Sequence, residues 1–259
     1  MRAARLRFFL LLAVGFFAFS AVSEAQMPGG PLPTGIRIQF DQDSQPAEVS
    51  QSLQIVLLLT VLSLAPAIVV MTTSFTRILV VMGFVRRALG TQTVPSGQIL
   101  TGLSVFLTIF IMAPVWKQIN TTAIQPYMNN EITQMAAWQA GVVPLRKFMA
   151  SQTGKEELAL FLELAGEDKA TKLDEVGMEV LMPAFMVSEL KTSFQLGFLV
   201  YLPFLVIDLV VATILMSLGM MMLPPMMISL PVKLLFFVLA DGWNLMIRGI
   251  VSSFTGVTF

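Results

Sequence analysis

Residues 194–251 read FQLGFLVYLPFLVIDLVVATILMSLGMMMLPPMMISLPVKLLFFVLADGWNLMIRGIV. Two apolar runs of helix length flank a methionine-rich turn that contains Pro224 and Pro225. Asp208, Lys233 and Asp241 lie inside the runs. An ionisable group in lipid costs from roughly 2.5 to more than 10 kcal/mol, so such groups face protein or a water-filled path. The stretch therefore predicts helices packed in a multi-subunit membrane assembly or a pore, rather than a passive anchor.

Composition points the same way. The 259 residues are 56% hydrophobic and 12% charged, about half the charge of a soluble domain. The formal net charge is zero, which argues against nucleic acid as a partner. With no Cys and no His, disulfides, thiol nucleophiles, Cys- or His-based metal sites and His general bases are excluded. No G-x-x-x-x-G-K-[ST] stretch occurs, so no P-loop is present. No G-x-S-x-G occurs and no base accompanies them, so the hydroxyls of Thr72-Thr73-Ser74-Phe75-Thr76-Arg77 read as a helix end or kink rather than a nucleophile site. No catalytic constellation and no cofactor site is expected.

The chain opens with Arg2, Arg5 and Arg7, then an apolar run from Phe8 to Val22, then Ser23-Glu24-Ala25. Basic, apolar and small-residue regions in that order predict a secretory leader cleaved after Ala25. Further apolar segments are Leu53 to Thr72, with a kink expected at Pro66, and Gln98 to Trp116, interrupted at Pro114. Arg77, Arg86 and Arg87 lie between them in a stretch with no acid. The division expected is a leader at 1–25, a flexible periplasmic segment at 26–50, an apolar helical hairpin at 51–116, a polar helical insert at 117–190 and a second apolar hairpin at 191–259. Short amphipathic helices are expected within the insert at Val143 to Met149 and Glu156 to Ala165. Leader cleavage and the positive-inside rule agree on a topology. The mature N-terminus and the polar insert lie outside; the arginine loop and the Pro224–Pro225 turn lie inside.

Three features carry a functional reading beside a plainer one. Met216, Met220, Met221, Met222, Met226 and Met227 cluster on one turn. Flexible thioethers brought together around an axis form a deformable seal, whereas the plain reading is gap filling or lipid contact. Asp208, Lys233 and Asp241 read either as ion relays or as register-fixing pairs between subunits. Glu189 and Lys191 are two apart and point to different sides of a helix. Each needs a partner elsewhere, which suggests subunit contacts; a solvated membrane edge is the plain reading.

These residues also resemble a known family. MTTSFTRILVVMGFVRRALGTQTVPSGQILTGLSVFLTIFIMAPV (71–115) and LMPAFMVSELKTSFQLGFLVYLPFLVIDLVVATILMSLGMMMLPPMMISLPVKLLFFVLADGWNLM (181–246) are similar to the two signature regions of the FliP family, which includes injectisome relatives. The SELKTSFQ-G, LGMMM-PP and DGW elements are the most specific. The resemblance implies an all-α, membrane-associated subunit that assembles into a helical, ring-like export gate. It implies a homo-oligomer of five copies with FliR and FliQ, with FlhB and FlhA associated. The site would be the bacterial inner membrane at the flagellar basal body, with portions on the periplasmic side, and the cargo unfolded flagellar proteins. It assigns Met220, Met221 and Met222 to a gasket around the closed channel. It implies no enzyme activity; energy would come from an export ATPase and the proton-motive force. The competing reading is a secondary transporter or ion channel that uses Asp208, Lys233 and Asp241. A membrane enzyme is a weaker rival, because it needs a catalytic dyad that the sequence does not offer.

Overall fold

The computed structural model describes residues 46–91, 93–166, 176–220 and 223–254, with side chains from Val56 onward except Val61. The expected leader, most of the segment before the first hairpin, Met221 and Met222 lie outside the described residues. The chain forms two compact units, Met1–Ile68 and Val69–Phe259. In the first, the described residues belong to helix α1 (Pro46–Thr72), which continues through Pro66.

The second unit is all-helical among its described residues. Helix α2 (Phe75–Ala88) occupies the stretch read above as an arginine loop. That reading is corrected by the apolar spacing. Phe75, Ile78, Val81, Met82, Val85 and Ala88 recur three or four apart and form one buried face. The helix stops at Gly90, whose φ of 73° only glycine adopts without strain. Helix α3 (Gly97–Ile119) starts at Ser96, whose hydroxyl accepts the Ile99 N–H at 3.4 Å. It runs through Pro114 rather than stopping there. A π-helical turn (Asn120–Ile124) and α4 (Gln125–Met128) extend it.

Helix α5 (Gln134–Gln152) is capped by Thr133, and α6 (Lys155–Ala165) falls where an amphipathic helix was expected. Both pack on α7 (Met178–Ser217), a helix of 40 residues. The polar stretch thus folds onto the first part of α7. Val180, Leu181, Ala184, Phe185, Ser188 and Glu189 are buried there, against Phe148, Met149, Leu158 and Leu162. Beyond Phe194 the same helix is largely exposed, as at Phe198, Leu199, Val206 and Leu209. The apolar run that starts at Phe194 is therefore not the start of a helix. It is the point where a helix leaves its protein partners.

Helix α8 (Met226–Leu239) returns along α7 after the Pro224–Pro225 turn, and α9 (Gly242–Ser252) bends from it by 67°. Asp241, at φ 49°, forms the joint. Among the described residues two helical stretches, Gly97–Met128 and Met178–Ser217, are long and apolar enough to cross a membrane, or up to four if each bent helix pair counts as one span. Only 11% of the most apolar window of α7 is buried within the chain. A membrane-embedded protein leaves such a surface for lipid or for neighbouring subunits.

Candidate functional site

The unit is organised around Arg77. The spacing that buries Phe75, Ile78 and Val81 leaves Arg77 on the rim of the same face of α2, where α7 covers it. Arg77 is 2% exposed and Glu189 is fully buried. The Arg77 Nε donates to Glu189 Oε2 at 2.9 Å, and its Nη2 donates to Glu189 Oε1, making a bidentate pair. Its Nη1 donates to the Ser253 carbonyl at 2.8 Å and to the Ser253 hydroxyl oxygen at 3.1 Å. Its Nη2 also reaches Gln152 Oε1 at 3.4 Å. The guanidinium lies 4.0 Å from the centre of the Phe254 ring. One side chain of α2 thus ties down the end of α5, the first part of α7 and the C-terminal end of α9.

Glu189 and Lys191 do point to different sides of α7, and each finds a partner within the chain. Glu189 turns to α2. Lys191 turns to α6, where it donates to Glu157 Oε1 at 2.7 Å and Glu156 Oε2 at 3.0 Å. Ser188 completes this junction, accepting the Gly154 N–H at 2.9 Å and donating to the Gln152 carbonyl at 3.2 Å. The hydrogen bond from Lys191, before any other influence, holds the Glu157 carboxyl below the usual carboxylate range.

Asp208 and Lys233 also meet. The Lys233 Nζ donates to Asp208 Oδ2 at 2.6 Å, pinning α8 against α7. Lys233 is 5% exposed at its side chain and Asp208 39%. Asp241 stands apart from them. It is exposed, and its Oδ2 accepts from Asn244 Nδ2 at 3.0 Å at the start of α9. Sequence reasoning had grouped Asp241 with the buried charges; in this chain it serves a helix joint. At the tip of the α7–α8 hairpin Met220, Met226 and Met227 are exposed.

Sequence reasoning missed Arg77 as a partner for Glu189, and Gln152 and Ser253 as its further acceptors. A usable signal existed for the first pair. Arg77 and Glu189 are opposite charges, each on an apolar helix face with no local counter-ion, and such groups look for each other. Nothing in the local pattern marks Gln152 or Ser253.

The arrangement defines a membrane-embedded helical protein whose buried charges hold helices together. No group of three or more His, Cys, Asp or Glu is placed to hold a metal ion among the described residues. Residues 58–250 match the FliP family. The flagellar biosynthetic protein FliP of Bacillus subtilis is 48% identical over 217 residues, covering 84% of this chain and 98% of its own length. That of Pectobacterium carotovorum is 46% identical over 246 residues, covering 94% and 92%. That of Caulobacter vibrioides is 50% identical over 201 residues, covering 78% and 76%. The chain belongs to the FliP family.

Proposed function

We propose that this chain is a channel-forming core subunit of the flagellar type III protein export gate. In this reading it passes unfolded flagellar proteins across the inner membrane within the basal body and performs no enzymatic chemistry. It assembles as a homo-oligomer of five copies with FliR and FliQ, and FlhB and FlhA associate with that core. Kinship with flagellar biosynthetic proteins supports the setting. The observation that carries the channel role is the hairpin tip. Met220, Met226 and Met227 stand exposed at 42%, 60% and 72%, beside long helices with little apolar surface covered by their own chain. Helices that leave this much apolar face open need neighbours. Repetition around an axis would gather the thioethers into a dry constriction that yields to a passing polypeptide.

The transporter reading loses support from the pairing of Asp208 with Lys233, which leaves each charge neutralised by the other, and from the exposed position of Asp241.

The test replaces Met220, Met221 and Met222 together with Ala. Complex recovery should stay normal while cells become permeable to small ions, and Leu at the three positions should largely restore the barrier. A tight membrane around a fully assembled Ala variant would remove the gasket role. Sodium- or proton-coupled solute flux by the purified chain in vesicles would favour the transporter instead.

A further inference from the structure

The end of α7 fixes where the methionines of the hairpin tip begin. The Gly219 N–H donates to the Met216 carbonyl at 3.1 Å, and the Met220 N–H donates to the Leu215 carbonyl at 3.0 Å. This pair of bonds around a left-handed residue is the Schellman arrangement of a helix C-terminus. Gly219 is the left-handed residue, at φ 74°. Met220 is exposed, whereas Leu215, whose carbonyl holds the Met220 N–H, is buried.

The far side of the tip is fixed separately. The Leu223 N–H donates to the Met220 carbonyl at 3.3 Å. Pro224 and Pro225 then lock two successive φ angles. The Pro225 carbonyl accepts the N–H of the buried Ser229 at 2.9 Å, which ties the turn to α8.

A residue with a Cβ disfavours the φ of Gly219, above all a β-branched one. Its alternative is to prolong the right-handed helix. Each further helical residue turns the chain by about 100° and advances it by about 1.5 Å. Met220 would then leave α7 on another side, and the two prolines could not follow. A Cβ on Gly219 would meet no atom within 4 Å. The position therefore requires glycine for its φ and not for space.

We propose that Gly219 is a positioning residue for the methionine seal, its left-handed φ setting the side of α7 from which Met220 projects. This role rests on the export-gate reading, because the direction matters only where copies meet at their tips.

The chain has no cysteine, so Met220→Cys gives it a single thiol. In complexes recovered after co-expression with FliR and FliQ, a short bismaleimide should join neighbouring copies through that thiol. Gly219→Val in the same background should assemble yet lose most of the cross-linked dimer, because the strained φ shifts the tip about tenfold toward other conformations. Gly219→Ala should lose part of it. Gly219→Asn should keep it, since asparagine tolerates the left-handed region. Gly166→Val places the same strain, at φ 72° with open space at the Cβ position, on the end of α6 and should leave the cross-link unchanged. A normal cross-link in an assembled Gly219→Val complex would overturn the proposal. So would an asparagine variant as poor as the valine one. Loss of assembly in both Gly219→Ala and Gly219→Val would also overturn it, since the glycine would then serve folding alone. No cross-link even with Gly219 in place would instead remove the gathering of tips around an axis, and with it the export-gate reading on which this role rests.

Discussion

Arg77 and Glu189 are 112 residues apart in sequence and form a bidentate ion pair without access to solvent. The pair joins α2 to α7, the two helices with the most extensive mutual packing in the unit. Desolvating two charges is costly, and their attraction offsets that cost only because the geometry is bidentate and further acceptors complete the guanidinium. Ser253 and Gln152 supply those acceptors.

Removing one partner should therefore cost far more than removing both. Arg77→Ala or Glu189→Leu is expected to destabilise the chain by about 3–5 kcal/mol, because a buried charge is left alone. The double variant Arg77→Met, Glu189→Leu should lose much less than either single change. Thermal unfolding of the detergent-solubilised protein measures this. A double variant as unstable as the sum of the singles would show that packing, not charge, dominates the site.

The pair between Asp208 and Lys233 makes a second case. Asp208→Asn leaves the Lys233 ammonium buried with its counter-ion gone, at an expected cost of about 1.5–3 kcal/mol. Exchanging the residues, Asp208→Lys with Lys233→Asp, should recover part of that loss. Chemical denaturation of the three variants provides the comparison, and no recovery in the exchange variant would deny the pair its pinning role.

Gly197 allows α7 to approach α2 closely. A Cβ there would stand 2.4 Å from Cδ2 of the Phe84 ring, which also packs edge-on against Phe194. Gly197→Ala should cost about 1–3 kcal/mol by overpacking. Phe84→Leu combined with it should cost less than the two single changes added, because both act on one contact. Additive losses in thermal melts would mean that the helices part rather than the ring moving.

The bridge between Lys191 and Glu157 should be sensitive to acid. The Glu157 carboxyl titrates below its ordinary value of 4.5 in the folded chain. A depressed folded value means that the carboxylate adds stability above the unfolded value and loses it as pH falls through the folded one. Hydrogen exchange of α6 amides, corrected for the intrinsic effect of pH, should stay slow above about pH 4.5 and speed up below it. Glu157→Gln should exchange faster near neutrality and lose most of that pH step. A wild-type step at neutral pH would point to a different titrating group.

Local pattern determined a large part of this protein. Long apolar runs and the scarcity of charge marked it as membrane-embedded and helical, since backbone polar groups in lipid are satisfied within helices. The spacing of Glu156 to Ala165 marked α6, and the Pro224–Pro225 turn marked the boundary between α7 and α8. The motifs SELKTSFQ-G, LGMMM-PP and DGW pointed to the FliP family. All of these depend on residues within a few positions of one another.

Tertiary structure decided the partners. The stretch around Arg77 looked like a basic loop because charge was counted along the chain; packing against α7 made it a buried helix with its arginine turned to Glu189. Glu189 and Lys191 had to diverge, but only the positions of α2 and α6 determined where each would go. Asp208 met Lys233, and Asp241 did not join them, because the return of α8 along α7 sets which turns face each other and the bend at Asp241 turns α9 away. The physical reason is one of range. Helix formation follows from hydrogen bonds four residues apart and a repeat of 3.6, both visible in a short window. The choice of ion-pair partner depends on helix crossings and register, which arise only when distant segments pack and exclude solvent.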